Sequence, residues 1–208
     1  MKIAVMVSGG GTNLQAIIDN IKSGYLEGIE IVLVVASNKD AYALTRAADN
    51  NIPSCVISKK DYADNDSWDE AMLSNIRNSG AELVVLAGYL SLLGPKVVKE
   101  YSNRIINIHP ALIPSFCGAG MYGIKPHRAV LARGVKVSGA TVHYVNENYD
   151  EGPIILQKAV DVLPGDTPES LQKRIMKECE QVILPKAIRL IADGKVTIEN
   201  NIAIVKEN

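Results

Sequence analysis

The sequence is short of most features that mark a specialised class of protein. It has three cysteines, Cys55, Cys117 and Cys179, an odd number, widely separated and without a Cys-x-x-Cys pair. That excludes a disulfide framework and suits a reducing compartment. Its three histidines stand at no i, i+4 spacing and beside no cysteine, so no metal is expected. No apolar run reaches the roughly 20 residues needed to cross a bilayer, and residues 3–7 are too short for the apolar part of an export signal. No membrane partner and a cytoplasmic location are therefore expected. Basic residues number 22 and acidic ones 23, mixed along the chain to a net charge of −1, and the lack of a basic excess argues against a nucleic-acid partner. Repeats and linkers are absent too, which leaves one domain spanning 1–208, long enough to bury roughly 70% of its unfolded surface.

What is present is alternation. The apolar run Ile3-Ala4-Val5-Met6-Val7 stops at Ser8-Gly9-Gly10-Gly11, after which Leu14, Ile17, Ile18 and Ile21 recur at helical spacing. This is strand, glycine loop, helix. The same rhythm predicts strands over 31–36, 53–57, 83–87 and 104–108 and helices over 41–50, 67–78 and 128–133, with Trp68, Met72 and Ile76 facing a core. Residues 136–145 and 153–162 read as a long antiparallel hairpin, and Asp166-Thr167-Pro168-Glu169 as a capped helix start. A second hairpin over 196–205 turns at Asn200-Asn201. The fold class is α/β: a doubly wound, mostly parallel, Rossmann-like sheet with an antiparallel C-terminal hairpin and a long C-terminal helix.

The glycine loop can be tested against better-known patterns. A dinucleotide fingerprint needs glycine at position 14, where Leu14 stands, and an acid after the second strand, where Ser37-Asn38 stand. A P-loop needs Gly-Lys-Ser/Thr after its spacer, and none is present. What remains is one phosphate on a helix N-terminus, or a plain strand-to-helix turn.

The chemistry concentrates at Asn107-Ile108-His109-Pro110, where a β-branched run ends and Pro110 halts it by removing a backbone donor. Strand carboxyl ends are where open α/β sheets place ligands. Asp150 lies in the loop of the long hairpin. Asn, His and Asp together can bind and protonate an oxygen that becomes negative during acyl transfer. Cys117 has no base at any useful spacing, which disfavours a thiol nucleophile. His143 lies on a strand face as a hydrogen-bonded structural residue or as a support behind Asp150. The glycine-rich stretch 115–126 is either a loop that closes over substrate or a passive surface loop.

The segment Asn107-Ile108-His109-Pro110-Ala111-Leu112-Ile113-Pro114-Ser115-Phe116, with Asp150-Glu151-Gly152-Pro153-Ile154 and Ser8-Gly9-Gly10-Gly11-Thr12-Asn13-Leu14-Gln15, resembles the folate-dependent formyltransferases over nearly the whole chain. The resemblance implies Asn107, His109 and Asp150 as the catalytic set and 10-formyltetrahydrofolate as cosubstrate. The glycine loop and the length are most like the members that formylate the glycine amine of glycinamide ribonucleotide in purine synthesis. On that basis Gly10, Gly11, Thr12 and Asn13 hold the substrate phosphate, with Lys177 on phosphate and Glu180 on ribose. Leu90, Ser91, Leu92, Leu93, Asn107, Asn146, Glu147 and Asp150 contact the folate, Ser91 standing where many relatives carry Arg. The expected division is a phosphoribosyl-binding half over 1–100 and a catalytic, folate-binding half over 101–208. Partners are small molecules, and the resemblance allows a homodimer. The same residues would also serve a formyltetrahydrofolate hydrolase or a formyltransferase acting on another amine, but those activities usually come with extra domains that 208 residues do not accommodate.

Overall fold

The computed structural model describes residues 1–206 and falls into two compact units that divide between Ile106 and Asn107. Seven strands form one sheet in the order β3-β2-β1-β4-β5-β6-β7. They are β1 (Lys2–Val7), β2 (Glu30–Ala36), β3 (Ser54–Val56), β4 (Leu83–Leu86), β5 (Ile105–His109), β6 (Val137–Tyr144) and β7 (Ile154–Asp161). β1 pairs in parallel with both β2 and β4, and β2 with β3.

In the first unit, β1 is buried at every position after Lys2 and β4 at all of its positions. That is why their sequences read as continuous apolar runs rather than alternating ones. Helices α1 (Thr12–Lys22), α2 (Ala43–Asp49), α3 (Asn65–Asn78) and α4 (Pro95–Glu100) connect the strands. Because β1 lies between β2 and β4, the chain leaves its two sides in opposite directions. The carboxyl ends of β1 and β4 thus form the topological switch point where such sheets bind ligands. β1 runs into the glycine loop there and β4 into residues 87–94.

Helix α3 starts two residues before the Ser67 expected from the sequence. Asp64 caps it, accepting from the Ser67 N–H at 2.7 Å, while the Ser67 hydroxyl reaches back to the Asp64 N–H. Trp68, Met72 and Ile76 face the core as expected. Helix α4 has no capping side chain of its own at Gly94. The buried Asp69 accepts from the Lys96 N–H at 2.8 Å instead, and any side chain at Gly94 would occupy the space of that carboxylate.

The second unit holds α5 (Lys125–Ala132), which begins three residues before the expected 128–133, and the antiparallel β6–β7 hairpin. Gly152 has no alternative in the hairpin loop, because a Cβ there would collide with the Tyr144 carbonyl. The C-terminal helix opens as expected with Thr167 as cap and Pro168 in the first turn. It is not one regular helix, however. α6 (Pro168–Ile175) passes through a π turn (Met176–Glu180) into α7 (Gln181–Ala192), with the Gln181 N–H reaching back to the Met176 carbonyl. Leu171, Ile175, Cys179, Ile183 and Ala187 are all buried, a stripe spaced by four at every step. An α-helix lets such a stripe drift about 40° per step, and the wider π turn takes up part of that drift. The last hairpin, β8 (Val196–Glu199) and β9 (Ile202–Val205), turns at Asn200 and Asn201, both left-handed with φ of 50° and 62°. Among the described residues no helix is long and apolar enough to cross a membrane.

Candidate functional site

The residues singled out from the sequence fall in two places, one in each unit. In the second unit the end of β5 presents Asn107 and His109, and the β6–β7 loop brings Asp150 to them. Asp150 is held at φ 55°, one of the few left-handed non-glycine residues. Its Oδ2 lies 3.6 Å from His109 Nδ1, and its Oδ1 lies 3.5 Å from Nε2 of the buried His143.

Hydrogen-bond geometry assigns the protons. His143 Nδ1 is 2.8 Å from the Tyr144 carbonyl, which can only accept, so Nδ1 carries the hydrogen. In the neutral ring, Nε2 is then an acceptor and takes one N–H of the Asn107 amide at 3.1 Å. This orients Asn107 and leaves its second amide N–H to donate elsewhere. His109 Nε2 lies 2.9 Å from the Phe116 carbonyl and is likewise the protonated nitrogen. Its Nδ1 therefore offers Asp150 a bond only when the ring is cationic, which accounts for their 3.6 Å separation in the neutral state.

Burial depresses the His109 pKa below its ordinary value, and the Asp150 charge with the Phe116 carbonyl offsets only part of this. At neutral pH the ring is neutral in this arrangement, in contrast to the cation an acid catalyst suggests. For Asp150, burial raises the pKa, but the neighbouring His143 and His109 imidazoles and the Gly118 N–H at 2.8 Å together hold it below the usual carboxylate range. Stretch 115–126 is thus tied into the site through the Phe116 carbonyl and the Gly118 N–H. The Cys117 thiol is pushed up by burial and then by Asp150, which keeps it protonated.

The segment after His109 is fixed by Thr141 on β6, whose buried hydroxyl donates to the Ala111 carbonyl at 2.7 Å. It accepts from the Ile113 N–H at 3.1 Å and from Gln157 at 3.0 Å. All three of its hydrogen-bonding positions are filled. The sequence did not single out His127 on α5. It is fully buried, neither ring nitrogen has a hydrogen-bond partner among the described residues, and burial followed by the nearby His109 lowers its pKa to about 4. Asn146 and Glu147 lie in the Asp150 loop, Glu147 exposed and Asn146 turned to accept from the Asn148 N–H at 3.0 Å. Lys177 and Glu180 both fall in the π turn. Lys177 is exposed and Glu180 is buried.

In the first unit each carbonyl of the glycine loop is held by a donor. Gly9 accepts from the Ala43 N–H at 3.1 Å, Gly10 from Arg46 Nε at 2.8 Å and Gly11 from the Gln15 N–H at 2.9 Å. The N–H groups of Gly9, Gly10 and Gly11 are taken by no partner among the described residues. They precede the N-terminus of α1, an arrangement that attracts anions. Thr12 begins the helix and Asn13 is buried in its first turn. Beside this loop, the Ser8 hydroxyl accepts from the Leu90 N–H at 2.9 Å and from the Ser37 hydroxyl at 2.8 Å. Leu90 and Leu92 are exposed, Ser91 is half-buried and Leu93 is buried, so only the first two leucines present a free apolar surface.

The formyl transferase family profile matches residues 1–188. Over 96% of its length the chain is 41% identical to the chloroplastic phosphoribosylglycinamide formyltransferase of Arabidopsis thaliana, 70% of which is covered. It is 39% identical to the phosphoribosylglycinamide formyltransferase of Haemophilus influenzae, over 97% of this chain and 92% of that one. The crystal structure of glycinamide ribonucleotide transformylase 1 from Symbiobacterium toebii superposes with a TM-score of 0.93 at 40% identity, covering 100% of this chain and 94% of that one.

Proposed function

Since the chain belongs to the formyl transferase family, we propose that it transfers the formyl group of 10-formyltetrahydrofolate to the glycine amine of 5-phosphoribosylglycinamide, a step of purine synthesis. The observation that carries this reading is the convergence of Asn107, His109 and Asp150 on one strand end, with His143 holding the Asn107 amide.

The neutral amine attacks the formyl carbon, and its nitrogen forms the new C–N bond as the carbonyl oxygen becomes negative. The free Asn107 N–H and the His109 Nε2–H stabilise that oxygen, the latter after leaving the Phe116 carbonyl. Developing negative charge beside the ring favours its cationic form, and the Asp150 carboxylate then gains the Nδ1–H it lacks in the neutral state. Asp150 takes the amine proton and passes it to His109 Nδ1, and the ring delivers its Nε2 proton to the folate nitrogen as that C–N bond breaks, so the protons balance and no enzyme nucleophile is needed.

In the first unit the glycine loop takes the substrate phosphate, and Leu90 and Leu92 suit a flat heterocycle of the folate. In the second, Lys177 reaches phosphate and Glu180 the ribose hydroxyls. The test is to mix enzyme, 10-formyltetrahydrofolate and the ribonucleotide and to follow folate deformylation with and without acceptor. Turnover that requires acceptor is expected. Acceptor-independent turnover would mark a hydrolase instead, and no turnover a binding protein.

A further inference from the structure

Arg46 has no place in the chemistry above, yet it touches the glycine loop at two points and the helix that follows it at a third. Its Nε donates to the Gly10 carbonyl at 2.8 Å, its Nη1 donates to Gln15 Oε1 at 2.9 Å, and its stem lies against Gly11, where a Cβ would meet Arg46 Cδ at 3.3 Å. The guanidinium also stacks over the Tyr42 ring at 5.1 Å, which helps fix its plane. A peptide group cannot turn its carbonyl one way without turning the following N–H the other. Holding the Gly10 carbonyl against α2 therefore fixes the direction of the Gly11 N–H. The Gly9 carbonyl is already held by the Ala43 N–H and the Gly11 carbonyl by α1 itself, so Arg46 restrains the one remaining peptide. Glycine offers no side chain to do this, and Gly10 has open space around it.

We propose that Arg46 is a positioning residue for the phosphate of the acceptor substrate, holding the glycine loop with its N–H groups preset for the anion and adding a fixed positive charge behind it. The inference rests on the reading of this loop as the phosphate site. Arg is the residue type suited to the task, because its rigid fork bonds Gly10 and Gln15 at once, which the single ammonium of Lys cannot do in the same plane.

The experiment is calorimetric titration of wild type, Arg46→Gln and Arg46→Lys with 5-phosphoribosylglycinamide, with its dephosphorylated nucleoside and with a 10-formyltetrahydrofolate analogue, each variant's fold being checked by thermal melt. Arg46→Gln should weaken the phosphorylated ligand by about 10- to 100-fold, the range of a charge-assisted hydrogen bond. Nucleoside and folate should stay within about twofold. Arg46→Lys, which keeps the charge and the stem, should fall between. Equal weakening of nucleotide and nucleoside, or unchanged nucleotide affinity in both variants, would overturn the proposal. Gly10→Asp separates the two levels of argument. If it abolishes nucleotide binding while Arg46→Gln does not, only the role of Arg46 fails; if it leaves nucleotide binding intact, the loop is not the phosphate site.

Discussion

His109, His143 and the Gly118 N–H all turn toward the Asp150 carboxylate, so one charge serves both to support a proton on His109 and to hold the loop beside it. Asp150→Asn removes the charge but keeps the size and a residue type that tolerates a φ of 55°. The fold should survive. The His109 pKa, already depressed by burial, should fall further because the main influence raising it is gone. Turnover near neutral pH should drop by about 100-fold, in the range of a positioned acid–base group. NMR titration of the ring together with steady-state kinetics decides this, and an unchanged pKa with near-normal turnover would reduce Asp150 to a turn residue. His127 makes a second prediction at this scale. Its folded pKa of about 4 lies below the ordinary 6.5, so the unfolded chain binds more protons between those values. Stability is therefore fully present above pH 6.5 and lost as the pH falls toward 4, by up to about 3 kcal/mol for this residue. Melting temperatures across that window should slope less in His127→Leu than in wild type, and identical slopes would remove His127 as the cause. Asn107, His109 and Asp150 were legible in the sequence because a strand end and a hairpin loop bring them together. His127 was not, because one histidine in a helix gives no sign of its lost hydrogen bonds until its surroundings are known.

At the scale of elements, the glycine loop shows what a repeated letter conceals. Gly9, Gly10 and Gly11 look equivalent in sequence, but only Gly11 combines a φ of 68° with a neighbour, the Ala43 Cβ, that an added Cβ would meet at 2.7 Å. Gly11→Ala should destabilise the fold, by the strain of the left-handed conformation together with that collision. Gly10→Ala should leave the melt within about 1 °C of wild type, since a Cβ there meets nothing within 4 Å and φ is not positive. It should nevertheless weaken the nucleotide by filling space over the loop. A melt and a titration on each variant test the contrast, and loss of stability in Gly10→Ala would contradict it. The strand–loop–helix order was readable from the switch between apolar run and helical spacing. The contacts from α2 were not, because Ala43 and Arg46 approach the loop across a long separation in sequence. The π turn left only a faint sign in the four-residue spacing from Leu171 to Ala187. Glu180, named from the resemblance alone, is buried in that turn.

At the scale of the whole molecule, alternating strands and helices declared an α/β sheet, but alternation fixes how many strands there are and not their order. The placement of β1 between β2 and β4 depends on which apolar faces pack together, and that is long-range information. Its consequence is that two loops far apart in sequence, at the ends of β1 and β4, meet at one switch point, and Ser8 is where they are joined. The Ser8 hydroxyl accepts from the Leu90 N–H and from Ser37, its N–H donates to the Gly88 carbonyl at 3.1 Å, and its carbonyl accepts from Asn38 at 2.9 Å. Ser8→Ala removes only the hydroxyl, so the strand-end backbone bonds persist and the loss of stability should be small, about 1 kcal/mol. The Leu90 N–H, however, loses its acceptor, and the start of the leucine loop is released from the glycine loop. Ser8→Ala should therefore weaken both the folate analogue and the nucleotide, each by severalfold, whereas Arg46→Gln weakens the nucleotide alone. Titrating the two variants with the two ligands gives a four-way comparison. If Ser8→Ala affects only one ligand, the hydroxyl serves one loop, and the joint placement of the two loops comes from the sheet alone.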